Sequence, residues 1–162
     1  MRIFISGACQ NGKTYLANQI AEHLNCPTFA YADKVKQAAA LYNPHLAPEI
    51  YAETKTPKAR QLCHTTAAYY QSRFGPNVFA NLVHDQCLNH DSFVVSDLRF
   101  KEELALIKET FTKYVIIFIG SNVDEYDCRE MFLNCDILLP SKPVKSHHDL
   151  VALINRIKIL SI

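Results

Sequence analysis

The chain has 162 residues, 49% of them hydrophobic, and 17 Lys and Arg stand against 16 Asp and Glu. That length suits one domain able to bury a core, and the near-neutral balance without a basic block excludes a surface built for nucleic acid. There is no signal-peptide pattern and no apolar run of membrane-spanning length, so a cytoplasmic protein without a membrane partner is expected, as a monomer or homodimer.

Arg2 to Ser6 reads as a short buried strand ending at Gly7, and Tyr15 to Leu24 repeats apolar residues at helical spacing through Leu16, Ile20 and Leu24. Thr28 to Tyr31 predicts a second strand, with Asp33 placed to cap a helix running to about Leu41. The prolines between Asn43 and Pro57 predict an irregular insertion, followed by a long helix from Lys58 to Arg73 that Phe74-Gly75-Pro76 stops. A helix over Asn77 to Leu88 leads into a strand at Ser92 to Ser96, then an amphipathic helix over Lys101 to Thr110. Lys113 to Gly120 is the most apolar run and predicts a central parallel strand. A polar stretch from Ser121 to Glu130, a strand at Ile137 to Pro140 and a helix from Leu150 to Ile159 complete the order. Such alternation predicts an α/β protein, a parallel sheet of about five strands covered by helices on both faces. Residues 1–162 form a single domain in this reading, with a helical insertion over residues 43–88 and a short lid over residues 121–132.

The six cysteines have no C-x-x-C pair, so no zinc or redox spacing is present, and reduced, mostly buried thiols are expected. His147 and His148 are expected as exposed helix-start residues.

Gly7-Ala8-Cys9-Gln10-Asn11-Gly12-Lys13-Thr14 matches the phosphate-loop pattern G-x-x-x-x-G-K-[ST], between a predicted strand and a predicted helix. Glycines at both ends let successive backbone N–H groups face a phosphate, and the helix dipole adds favourable potential. The segment thus predicts an ATP site: Gly7, Cys9, Gln10, Asn11, Gly12, Lys13, Thr14 and Tyr15 around the nucleotide, Lys13 on the β- and γ-phosphates, and the Thr14 hydroxyl on Mg²⁺.

Asp97 ends the strand Phe93-Val94-Val95-Ser96, at the sheet edge where ligands of open α/β sheets bind. It is the choice for a carboxylate on the Mg²⁺ side, with capping of the following helix as the alternative. Asp33 follows a strand too, and is equally suited to cap a helix or to touch an acceptor. Arg60, Arg73 and Arg99 lie near predicted helix ends or the strand edge, where guanidinium forks would clamp an acceptor phosphate and the charge of the transferred group. Lys36 reads as part of a solvated helix face. A phosphate-monoester acceptor is largely ionised at neutral pH and needs no general base, whereas a hydroxyl acceptor would need one, for which Asp33 is the placed candidate.

These motifs resemble the deoxynucleoside monophosphate kinases of bacteriophages, a branch of the P-loop kinases similar in core to adenylate kinase. The resemblance rests on the phosphate loop, on Phe29-Ala30-Tyr31-Ala32-Asp33-Lys34-Val35-Lys36, on Arg60 leading a helix to Arg73-Phe74-Gly75-Pro76-Asn77, and on Val95-Ser96-Asp97-Leu98-Arg99-Phe100-Lys101-Glu102-Glu103. It implies a P-loop NTPase fold of the nucleoside monophosphate kinase type, ATP and Mg²⁺ as cofactors, and a small nucleotide as acceptor. Asp33, Lys36, Arg60, Arg73 and Arg99 would surround that acceptor, within the insertion and at the strand edge. Where the family carries a glutamine and a Gly-Thr-Glu, this chain has His64 and Thr65-Thr66-Ala67-Ala68-Tyr69-Tyr70. The lid places Asp124, Glu125 and Asp127 around a single catalytic candidate, Arg129, where related kinases place several arginines. Two alternatives stand beside the monophosphate kinase: a kinase of a hydroxyl acceptor such as dephospho-coenzyme A or a sugar-like molecule, and a nucleotide-binding regulator without turnover.

Overall fold

The computed structural model describes residues 1–8, 11–52, 54–120, 129–141, 144 and 146–161. Strands β1 (Arg2–Gly7), β2 (Thr28–Phe29), β3 (Phe93–Leu98), β4 (Val115–Ile119) and β5 (Ile137–Leu139) form one sheet in the order β2-β3-β1-β4-β5. Every neighbouring pair runs parallel. Parallel neighbours need crossovers, and α1 (Lys13–Leu24), α2 (Tyr31–Tyr42), α3 (Ala47–Tyr51), α4 (Pro57–Phe74), α5 (Val78–Cys87), α6 (Lys101–Thr110), α7 (Arg129–Leu133) and α8 (His147–Leu160) lie in the connections and at the C-terminal end. The α/β architecture expected from the alternation is the one observed.

Side-chain alternation along the strands builds two cores, one on each face. Ile3 and Ile5 of β1, with Ile117 and Ile119 of β4, meet Leu16 and Ile20 of α1 and Leu153, Ile154 and Ile157 of α8. Phe4 points the other way, with Phe93, Val95 and Phe118, toward Val83 of α5, Leu104 and Ile107 of α6 and Met131 of α7. Its ring meets Phe93 edge-on at 5.7 Å between centroids, a favoured aromatic geometry. A smaller cluster of Ala39, Leu46, Ile50 and Ala59 joins α2, α3 and α4 into a helical lobe.

The local signals explain most helix limits. Thr56 caps α4 by accepting from the Ala59 N–H at 3.2 Å, with Pro57 in the first turn and Gly75 (φ 96°) at the end. Ser146 caps α8 by accepting from the Asp149 N–H, and His147 and His148 are exposed at its start. Asn25 ends α1 in the left-handed conformation that asparagine tolerates, φ 50°.

Four expectations need correction. The second strand is only Thr28–Phe29, because Tyr31 already belongs to α2. Asp33 therefore lies inside the first turn of α2 and does not cap it. The segment expected to be irregular holds a 3₁₀ turn at Pro44–Leu46 and the short helix α3, each starting with a proline in its first turn, where a missing N–H costs no hydrogen bond. Of the four cysteines described, only Cys87 is buried; Cys26, Cys63 and Cys135 are partly exposed. No helix among the described residues is long and apolar enough to cross a membrane.

Candidate phosphate-binding and acceptor site

The loop after β1 is built by close approach of backbones. Gly7 pairs with Ile119 of β4, and a Cβ on Gly7 would lie 2.2 Å from the Ile119 carbonyl oxygen, so no side chain fits. That same oxygen accepts from Asn11 Nδ2 at 3.2 Å, which ties the middle of the loop to the end of β4. Gly12 then turns the chain into α1 at φ 82°, and a Cβ there would meet nothing within 4 Å, so the loop opens onto free space.

The start of α1 has no side-chain cap and no acidic residue in its first turn. A helix beginning this way keeps unsatisfied N–H groups and a positive dipole end for an anion. Lys13 is buried, and its Nζ donates to the carbonyl oxygens of Gly7 at 2.8 Å and Ala8 at 2.5 Å. Thr14 and Tyr15 are exposed on the first turn. Cys9 and Gln10 lie outside the described residues.

β3 is the immediate neighbour of β1, so Asp97 ends about one strand spacing, 4.8 Å, from the strand that leads into the loop. Its carboxylate is engaged: Oδ1 accepts from the Tyr31 N–H at 2.8 Å and Oδ2 from the Ala32 N–H at 2.9 Å. Asp97 thus caps a helix, though it is α2 and not the following α6. Burial raises its carboxyl above the usual range, opposed by these two N–H groups and by the Arg99 charge.

The following helix is capped by Glu103. One carboxylate oxygen accepts from the Arg99 N–H at 2.8 Å and the Phe100 N–H at 3.0 Å, which fixes the backbone carrying Arg99. Burial pushes the Glu103 carboxyl up to about 7, against the pull of these N–H groups. Tyr31 anchors α2 from below, its hydroxyl 2.9 Å from His84 Nε2 in the core. Burial lowers His84 to about 4, and its Nδ1 has no partner among the described residues.

Asp33 and Lys36, one turn apart on α2, form an ion pair at 2.6 Å. Two of the three arginines are spread along one helix. Arg60 and Arg73 are exposed at opposite ends of α4, and by helix geometry their Cα atoms lie roughly 20 Å apart along the axis and about 140° apart around it. Arg99 is exposed beside Asp97, and among the described residues none of the three makes an ion pair. Arg129 starts α7 and is exposed; of the expected lid, residues 129–132 belong to α7, with Met131 buried, and residues 121–128 lie outside the described residues. Between α2 and α4, Tyr42, Thr65, Thr66, Tyr69 and Tyr70 line an open groove of about 330 Å³. Tyr31, at the start of α2, belongs to the core.

Sequence reasoning passed over Glu103 and His84. Glu103 stands at the third helical position, where a carboxylate reaches back to uncapped N–H groups, and that spacing would have found it. His84 sits in the apolar stripe Phe79, Ala80, Val83, Cys87, whose period signals burial but not its tyrosine partner.

The parallel sheet in this order, with a glycine loop between β1 and α1 and a lysine at the helix start, is a fold that solved kinase structures share. Two of them match it over nearly all of their length. The shikimate kinase of Aquifex aeolicus superposes with a TM-score of 0.55 at 14% identity, covering 98% of this chain and 96% of that one. The shikimate kinase of Bacteroides thetaiotaomicron gives 0.54 at 13%, covering 99% and 97%. No family model and no curated protein matches the sequence.

Proposed function

We propose that the protein is an ATP- and Mg²⁺-dependent phosphotransferase whose acceptor is a nucleoside or deoxynucleoside 5′-monophosphate. The observation that carries the first part is the loop itself: an uncapped helix start without acidic residues, open space at Gly12, and a lysine ammonium held on the loop carbonyls. Gly7 and Asn11 hold the loop's shape. The N–H groups from Gly12 to Thr14 bind the β- and γ-phosphates, and Lys13 exchanges its carbonyl partners for phosphate oxygens. Thr14 presents its hydroxyl to Mg²⁺, which suits a metal that keeps several waters and takes phosphate oxygens for the rest. Bound Mg²⁺ would neutralise charge on the β- and γ-phosphates. Cys9, Gln10 and Tyr15 complete the nucleotide side in this reading.

On the acceptor side, the first turn of α2 with Asp33 and Lys36, Arg99 at the edge of β3, and one of Arg60 or Arg73 position the monophosphate, while Arg129 approaches the transferred group. Transfer to an ionised phosphate needs alignment and positive charge more than proton abstraction. A hydroxyl acceptor is the second reading, favoured by the dispersal of the arginines along α4; Asp33 would then be the base.

The test is ADP release from ATP with Mg²⁺ across the common nucleoside and deoxynucleoside monophosphates, with dephospho-coenzyme A and shikimate as hydroxyl acceptors and Lys13→Ala as blank. Lys13-dependent stimulation by a monophosphate supports the proposal. Stimulation by a hydroxyl acceptor alone replaces it with the second reading, and nucleotide binding without any transfer leaves a regulator.

A further inference from the structure

The helix α2 begins without help from its own sequence. Its N-cap, Ala30, has no side chain able to accept a hydrogen bond, so the N–H groups of Tyr31 and Ala32 need a partner from elsewhere. Both find it in Asp97, 66 and 65 residues along the chain, one N–H on each carboxylate oxygen. Tyr31 is also held by its side chain, whose hydroxyl meets His84 in the aromatic core beside Phe4 and Phe111. One residue of α2 is thus pinned at its backbone to β3 and at its ring to α5.

The position of this joint gives it leverage. β2 is only two residues long, and α2 packs on α3 and α4 of the lobe as well as on α5 and β3, so the start of α2 is where the first helix of the lobe is fastened to the sheet. Asp33 and Lys36 lie within a turn and a half of the pinned residue.

We infer that Asp97 is a positioning residue: with His84 it brackets the first turn of α2 and thereby sets the acceptor lobe against the phosphate loop. Its carboxylate is spent on alignment of the acceptor side and not on the metal. The kinetic part of this inference rests on the phosphotransferase reading; the structural part does not.

Two variants test it. Asp97→Asn keeps one acceptor oxygen but turns an amide against the second N–H, and Tyr31→Phe removes only the hydroxyl that meets His84. Amide hydrogen exchange over residues 31–36, calorimetric affinity for ATP with and without Mg²⁺, and acceptor KM against kcat are compared with the unmodified protein. Exchange in the first turn of α2 should rise about tenfold in Asp97→Asn, as expected for a lost hydrogen bond to a charged group, with Mg²⁺·ATP affinity held within about twofold. Acceptor KM should rise in both variants. Should Asp97→Asn not melt cooperatively, faster exchange in Tyr31→Phe upholds the bracket and unchanged exchange overturns it. Unchanged exchange in a folded Asp97→Asn, or a Mg²⁺-dependent fall of about tenfold in ATP affinity, overturns the inference and returns Asp97 to the metal. Exchange and binding need no acceptor, so an unmodified protein that transfers no phosphate would sink the proposed function while the bracket is still decided.

Discussion

The Lys13 ammonium donates to the carbonyl oxygen of Gly7 at 2.8 Å, so the phosphate loop is closed on its own lysine. A triphosphate entering the loop would take over that ammonium, replacing the neutral carbonyl acceptors of Gly7 and Ala8 with phosphate oxygens of opposite charge. Lys13→Ala is expected to lower phosphate transfer by about a hundredfold or more, near 2.7 kcal/mol of transition-state stabilisation. ADP release in saturating Mg²⁺ measures it, and a variant retaining a third of the activity would remove Lys13 from the mechanism.

Gly7 and Gly12 fail for different reasons when given a methyl group. At Gly7 the Cβ would lie 2.2 Å from a backbone oxygen of β4, at φ +133°, so Gly7→Ala should cost about 3 kcal/mol or more of stability. At Gly12 no atom lies within 4 Å and the cost is the left-handed conformation alone, about 1 to 2 kcal/mol. Gly12→Ala should therefore remain folded yet lose nucleotide affinity, since its methyl occupies the space left for a phosphate. Urea denaturation together with ATP calorimetry separates the two; equal stability losses would contradict the packing described.

Glu103 makes stability depend on pH in an unusual direction. Its carboxyl is raised from 4.5 to about 7, chiefly by burial, so between those values the folded protein holds a proton that the unfolded chain releases. Stability from this group is complete below about pH 4.5 and is lost as pH rises through 7, by about 3 kcal/mol. His84, lowered to about 4, acts oppositely, since the unfolded chain takes up its proton first and stability falls on acidification from 6.5. Glu103→Gln keeps an oxygen for the Arg99 and Phe100 N–H groups and removes the first effect. It should match the unmodified protein near pH 4.5 and exceed it in stability at pH 8, and parallel urea midpoints at both pH values would show Glu103 to titrate normally.

Arg60 and Arg73 project from opposite ends of an 18-residue helix and are both exposed, so replacing either should change stability by less than about 0.5 kcal/mol. Under the proposed function, one guanidinium at most reaches the acceptor phosphate. Of Arg60→Ala and Arg73→Ala, only one should raise the acceptor KM about tenfold or more, the loss expected for a charge-assisted contact. Equal tenfold effects from both would mean that α4 is broken or reoriented when the acceptor binds.

Much of the fold is legible in the sequence because local periodicity carries it. Ile3 to Ile5 and Val115 to Ile119 are apolar throughout, as strands buried on both faces must be, and Leu16, Ile20 and Leu24 recur at helical spacing. The phosphate loop was legible for a related reason: its chemistry belongs to consecutive residues, and its two glycines answer to backbone geometry within the segment. By itself the sequence determined that a glycine loop joins a strand to a helix in an alternating α/β chain. Only the tertiary structure decided which N–H groups Asp97 meets, because Tyr31 and Ala32 lie 66 and 65 residues away and no spacing announces them. The separation of Arg60 from Arg73, by contrast, follows from their spacing along one helix and was already implied once Lys58 to Arg73 was read as helical. Contacts within a few residues follow from the chain's own geometry; contacts across the sheet follow from how strands are ordered, and the order β2-β3-β1-β4-β5 is set by packing of the whole.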